Sequence, residues 1–212
     1  MAESTTRVEA FSDGVFAIAI TLLVLEIRLP EHAAGGIETA IWTRLAGLWP
    51  SYLAFLLSFF VILIMWINHH ELMRLVRAVD YPFLFANGFL LLTVSFVPFP
   101  TAVLAADLAT PDAAAAVAFY CGTFVINSLA WGLFFLTIVR RGLLRADVHP
   151  TTVERIRNAY AAGPLVYAVA TVVAFYRPLV GLAINASLWL LWIRLCYHSS
   201  RAELTEKARS PS

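Results

Sequence analysis

Five stretches of this 212-residue chain contain no Asp, Glu, Lys or Arg: Leu45–Asn68, Tyr81–Ala106, Ala113–Val139, Asn158–Tyr176 and Pro178–Ile193. A helix needs about 20 mostly apolar residues to cross the hydrocarbon core of a bilayer. Stretches of that length are read as transmembrane helices, which satisfy each backbone N–H within their own segment. The fifth is short, and Arg194 snorkelling to the interface lets it run on towards His198. A sixth apolar stretch, Gly14–Leu25, comes first in the chain and is bracketed by Asp13 and Glu26. Charged residues make up 14% of the sequence, against about 25% in a soluble domain. The net charge of +1 offers no electrostatic footprint for nucleic acid. Cys121 and Cys196 both sit in apolar runs and imply neither a disulfide framework nor a zinc cluster. The prediction is an all-α membrane protein with one six-helix domain over residues 1–200. Its helices are expected at 8–28, 45–72, 81–106, 113–139, 156–176 and 178–198, followed by a polar tail at 201–212.

The cations set the orientation. With the N-terminus inside, twelve fall on the cytoplasmic side: Arg7, Arg74, Arg77, Arg140, Arg141, Arg145, Arg155, Arg157, Arg194, Arg201, Lys207 and Arg209. Only Arg28, Arg44 and Arg177 fall outside. That asymmetry follows the positive-inside rule and predicts that both termini are cytoplasmic. A signal peptide is the alternative for the first segment, but Glu9 and Asp13 precede the apolar run where a signal carries positive charge.

The first helix is the least suited of the six to face lipid. Asp13 and Glu26 lie about 20 Å apart along a helix, less than the ~30 Å hydrocarbon thickness. At least one carboxylate then sits at hydrocarbon depth, where it must pair or face water; a tilted helix or a thinned bilayer is the alternative. At about 100° per residue, Phe11, Gly14, Leu22 and Leu25 fall within roughly 40° of Ile18, with Thr21 about 60° away. This makes an aliphatic stripe with a hydroxyl on its shoulder, while Ser12 and Asp13 point elsewhere. Taken alone, such a stripe is the mark of packing.

Trp66, Asn68, His69, His70 and Glu71 end the second helix at the depth of Arg7–Asp13, so Asp13, Arg7, Trp66 and one histidine can form a polar clasp. The adjacent histidines point about 100° apart and form no i, i+4 pair, which argues against zinc. Proton sensing by a histidine is a further option. In the third helix, Pro98 and Pro100 predict a kink. Asn127, Ser128 and Asn185 are isolated polar groups suited to interhelical hydrogen bonds. The chain has no Gly-rich phosphate loop, Gly-x-Ser-x-Gly or His-Glu-x-x-His pattern, and no Thr-Val-Gly-Tyr-Gly filter. No enzyme activity, cofactor or metal is therefore expected.

Arg7-Val8-Glu9-Ala10-Phe11-Ser12-Asp13 resembles the Arg-x-x-x-Phe-Ser-Asp signature that opens the first helix in the transmembrane protein 175 family of potassium channels. The similarity continues through Phe16–Ile27, Trp66-Ile67-Asn68-His69-His70 and Ser95-Phe96-Val97-Pro98-Phe99-Pro100. Vertebrate members carry two six-helix repeats; this chain has one and looks like a prokaryotic member of the plasma membrane. The resemblance implies a homotetramer in the lipid bilayer that passes potassium and other monovalent cations through a pore lined by the first helix. It places a hydrophobic constriction at Ile18, further rings at Leu22 and Leu25, and a selectivity-linked hydroxyl at Thr21. Arg7, Phe11, Ser12 and Asp13, with Trp66 and His69 or His70, would form the supporting polar network. An isoleucine ring offers no dipoles in place of water, so it favours potassium moderately and is itself a gate when too narrow to stay wet.

Two other classes remain open on the residues alone. A proton-coupled transporter would use Asp13, Glu26 and His69 or His70 and would need a pH gradient. A membrane scaffold would pass nothing. In the outer loop, Glu31, His32 and Glu38 are placed to draw cations to a mouth, or belong to a solvated loop.

Overall fold

The computed structural model describes residues 5–29 and 40–207, with the side chains of Leu191 and of residues 194–207 outside that description. Glu31, His32, Glu38 and Arg209, and the side chains of Arg194, Cys196, Arg201 and Lys207, therefore lie outside the described residues. The helices are α1 (Thr5–Leu22), α2 (Ile41–Gly47), α3 (Trp49–Arg74), α4 (Tyr81–Phe96), α5 (Pro98–Asp107), α6 (Ala113–Arg140), α7 (Pro150–Ala174) and α8 (Pro178–Lys207). Among the described residues, four segments are long and apolar enough to cross a membrane: Thr5–Glu26, Trp49–Arg74, Tyr81–Asp107 and Ala113–Arg140. Pro178–Leu190 is a shorter apolar segment.

Several boundaries depart from expectation, each for a local reason. The first helix tightens to a 3-10 turn at Leu23–Glu26, and Ile27 is extended, so it stops short of residue 28. The second begins at Trp49, with Pro50 in the first turn where its missing N–H costs nothing; the short α2 precedes it. Pro98 has no N–H for the Val94 carbonyl, which instead accepts from Val97 at 3.1 Å. The expected kink is thus a break between α4 and α5. The fifth helix starts at Pro150 rather than residue 156, because the His149 ring accepts the Thr151 N–H at 3.3 Å and caps its first turn. Glu154 and Arg155, which precede the expected start, are helical. The last helix runs through residues 201–207, so that part of the tail is helical too.

The α6 helix is central and packs on α4, α5, α7 and α8, while α1 lies against α3 and α4. Cys121, Phe124, Phe134 and Ile138 on α6 are fully buried. Small residues let α7 and α8 approach closely: a Cβ on Gly181 would stand 2.8 Å from the Ala170 carbonyl oxygen and 2.8 Å from the Ala174 Cβ. Both are unyielding, so Gly181→Ala is expected to cost about 1–3 kcal/mol by overpacking. A thermal melt of the purified variant in detergent, unchanged from wild type, would contradict this packing.

Where α3 and α6 end, their following loops are joined. Val76 and Leu144 form an antiparallel bridge. The Arg77 N–H donates to the Leu143 carbonyl and the Arg145 N–H to that of Leu75, both at 2.9 Å. The Arg77 guanidinium also donates to the Gly142 carbonyl at 2.9 Å. Gly142 has φ +63°, a conformation that disfavours a side chain.

Beside this clasp, Asp80 joins two helices. Its Oδ1 accepts the Phe83 N–H at 3.0 Å and caps α4, and its Oδ2 accepts from Arg141 Nε at 2.8 Å. The hydrogen bond from Arg141, then that from Phe83, holds the Asp80 carboxyl below its ordinary 3.8. A carboxylate whose folded pKa is depressed stabilises fully above its unfolded value, and this is lost as pH falls through the folded one. The stability difference between wild type and Asp80→Asn should therefore be constant from neutral pH down to about 5 and vanish well below 3.8. Melting curves against pH test this; a difference that fades already between pH 7 and 5 would assign it to another group.

Candidate functional site

The first helix has two faces. Val8, Ser12, Phe16, Ala19 and Leu23 are buried against the bundle. These positions recur every three to four residues, so they form one seat along the helix. The opposite face is bare: Phe11 is 66% exposed, Ile18 61%, Leu22 42% and Leu25 61%. Thr21 is exposed beside them and donates its hydroxyl to the Ile18 carbonyl at 2.9 Å. The expected stripe is therefore the face of α1 turned away from its own subunit.

The seat is held by a buried polar chain. Ser12 is fully buried and its Oγ accepts from Asn87 Nδ2 at 3.1 Å. The Asn87 Oδ1 lies 2.9 Å from His69 Nε2. An amide oxygen only accepts, so His69 carries its proton on Nε2 in this arrangement. The His69 ring is fixed by stacking on Phe134, with centroids 5.9 Å apart and planes within 4°, and by Phe16 at 5.5 Å. Three helices, α1, α3 and α4, thus meet at one amide, and burial makes each of these bonds costly to lose.

The other residues expected here are placed differently. Asp13 is exposed, and its Oδ1 accepts from Trp66 Nε1 at 2.8 Å. Of the two histidines, His69 joins the network, while His70 is exposed beside Trp66, with ring centroids 6.3 Å apart. Arg7 is exposed and forms no hydrogen bond or ion pair with the described residues of its own chain. Phe11 stands on the bare stripe instead of in the polar network, since one residue is about 100° of helical rotation from inward-facing Ser12. Glu26 is half-buried, 3.9 Å from Arg28. Sequence reasoning missed Asn87. Its signal was a lone amide in an apolar helix, two turns past Asp80 and level with His69.

Other polar groups tie the bundle together away from the stripe. Asn127 Nδ2 donates to Thr93 Oγ1 across α6 and α4 at 2.8 Å. Ser128 donates to its own helix at Val125, and Asn185 is buried with Nδ2 lacking a partner among the described residues. Ser58, Thr101 and Tyr120 share a hydroxyl cluster at 2.6 and 3.1 Å. No group of three or more metal-ligating side chains gathers among the described residues.

Residues 7–98, which include Ser12, His69 and Asn87, match the family described as endosomal/lysosomal potassium channel TMEM175. A potassium channel of Chamaesiphon minutus is 47% identical over 175 residues, 81% of this chain and 84% of that one. The crystal structure of a lysosomal potassium-selective channel TMEM175 homolog from that organism superposes with a TM-score of 0.76 at 40% identity, covering 91% of this chain and 97% of that one. The endosomal/lysosomal proton channel TMEM175 of Gallus gallus is 42% identical over 74 residues, 32% of this chain and 15% of that protein. Apolar helices long enough to cross a membrane, the signature at α1 and likeness along most of the chain converge: this multi-pass membrane protein belongs to the TMEM175 family, one of channels rather than enzymes.

Proposed function

We propose that this protein is a potassium-selective channel of a prokaryotic plasma membrane, in which four copies place the bare face of α1 around a common pore. The observation that carries the reading is the stripe Phe11–Ile18–Leu22–Leu25. It is exposed on a helix whose opposite face is locked by buried hydrogen bonds, and whose apolar run is bracketed by Asp13 and Glu26. A helix so flanked is ill suited to lipid. The names of the relatives and the solved neighbour supply the ion. Six spans complete each subunit: α1 with its 3-10 turn, α3, α4 with α5, α6, α7 and α8, with both termini cytoplasmic. Ile18 forms the narrowest ring, Leu22 and Leu25 widen outward, and Thr21 borders the constriction. The Asp13–Trp66 hydrogen bond and the Ser12–Asn87–His69 chain set the height and tilt of α1.

The geometry yields moderate selectivity. An aliphatic ring gives a passing ion no oxygen ligands, so the barrier is partial loss of hydration. Potassium sheds water more readily than sodium, and a narrow dry ring closes the path. No cofactor takes part. The test is flux from liposomes containing the purified protein, with potassium and sodium gradients compared and pH clamped. Flux that follows the potassium gradient alone is the expected result. Flux only with a proton gradient would replace the channel by a coupled transporter, and none from a folded oligomer would leave a scaffold.

A further inference from the structure

The seat of α1 is tied to the junction of α4 and α6, two turns away along one face of α4. Asp80, Phe83 and Asn87 recur at i, i+3 and i+7, so they share that face. Asp80 meets Arg141 at the end of α6. Phe83, fully buried, packs on Phe134 with ring centroids 5.0 Å apart. Phe134 in turn stacks on His69, and Asn87 holds both His69 and Ser12. Arg141, at the C-terminal cap of α6, is seven residues past Phe134. The two antiparallel helices therefore match ion pair to ion pair end and aromatic to aromatic, with Thr93 and Asn127 bonded farther along the same seam.

We propose that Asp80 and Arg141 are positioning residues for ion selectivity: their pairing fixes the register of α4 on α6, and through Asn87 and Ser12 it fixes where α1 holds Ile18. This rests on the reading of α1 as the pore-lining helix. The link is mechanical and short. Every joint in it is a buried ring contact or a hydrogen bond of 3.1 Å or less, whereas the bare face of α1 has no support from its own chain. A slip of α4 along α6 cannot leave Ser12 bonded unless α1 follows.

Asp80→Asn separates the roles of this residue, since Asn still caps α4 but carries no charge for Arg141. Liposome flux is measured for wild type, Asp80→Asn, Arg141→Gln and the double variant, with oligomer size checked by chromatography. The expected result is a fall of about threefold in the potassium-to-sodium flux ratio for each single variant, and no further fall in the double. Arg141→Lys, which keeps the charge, should restore most of the ratio. In a Ser12→Ala background, where the bond from α4 to α1 is gone, Asp80→Asn should have little further effect. A purely stabilising role would reduce the yield of active protein and leave the ratio unchanged, which overturns the proposal. So would an effect that persists in full in the Ser12→Ala background. Ile18→Asn measured alongside separates the two failures: if it is inert, the reading of α1 falls and this inference with it. If it is active while Asp80→Asn and Arg141→Gln are silent, only this inference falls.

Discussion

Ile18→Asn is expected to raise potassium flux by about tenfold, equivalent to ~1.4 kcal/mol off the barrier, and to bring sodium flux close to potassium flux. Ile18 is 61% exposed on the bare face of α1, so the polar side chain fits without disturbing the seat. An amide in the constriction offers an oxygen to a partly dehydrated cation and keeps the ring wet, removing both the barrier and its bias between the ions. Single-channel recording or liposome flux reads the effect. Assembled Ile18→Asn protein with unaltered conductance and selectivity would remove Ile18 from the constriction.

Asn87→Leu should have the largest effect on stability. Leucine keeps the branching of asparagine at Cγ in a bulkier side chain, and it leaves the buried Ser12 hydroxyl and His69 Nε2 facing apolar groups. Each stranded buried polar group costs about 1–3 kcal/mol, and two of them amount to a large part of a typical folding free energy of 5–15 kcal/mol. The variant should melt many degrees below wild type and yield little oligomer. Ser12→Ala should be milder, because it strands only one Asn87 N–H. If Asn87→Leu melts within a few degrees of wild type, the chain of bonds seating α1 is not what holds it.

The apolar stretches made the membrane helices legible because a bilayer leaves the chain few choices. Ala113–Val139, free of charge and proline, differs from the observed α6 by a single residue. The phase of the stripe on α1 was equally readable, since Phe11, Ile18, Leu22 and Leu25 depend only on helical geometry. Boundaries failed where water replaces lipid: Glu154 and Arg155 fall before the expected start at residue 156, yet Pro150 and the His149 cap let α7 begin outside the apolar zone. The choice between His69 and His70 was beyond the sequence, because about 100° of rotation separates them and only the packing of α4 and α6 decides which turns inward. Asn87 was missed for a related reason. Its role depends on partners 18 and 75 positions away, and no local pattern joins them.

If the bare face of α1 lines the pore as proposed, the hydroxyl of Thr21 bears on the sign of the ions admitted. Its proton is committed to the Ile18 carbonyl at 2.9 Å, so the oxygen turns only lone pairs to its surroundings. The large side chains beside it, Phe11, Ile18, Leu22 and Leu25, bear no N–H or O–H at all. A wall of this kind can accept hydrogen bonds from a cation's water shell and can touch the cation itself. It has nothing to donate to chloride. Four copies would therefore exclude anions without a single charged side chain on the wall, through the direction in which one small hydroxyl is turned.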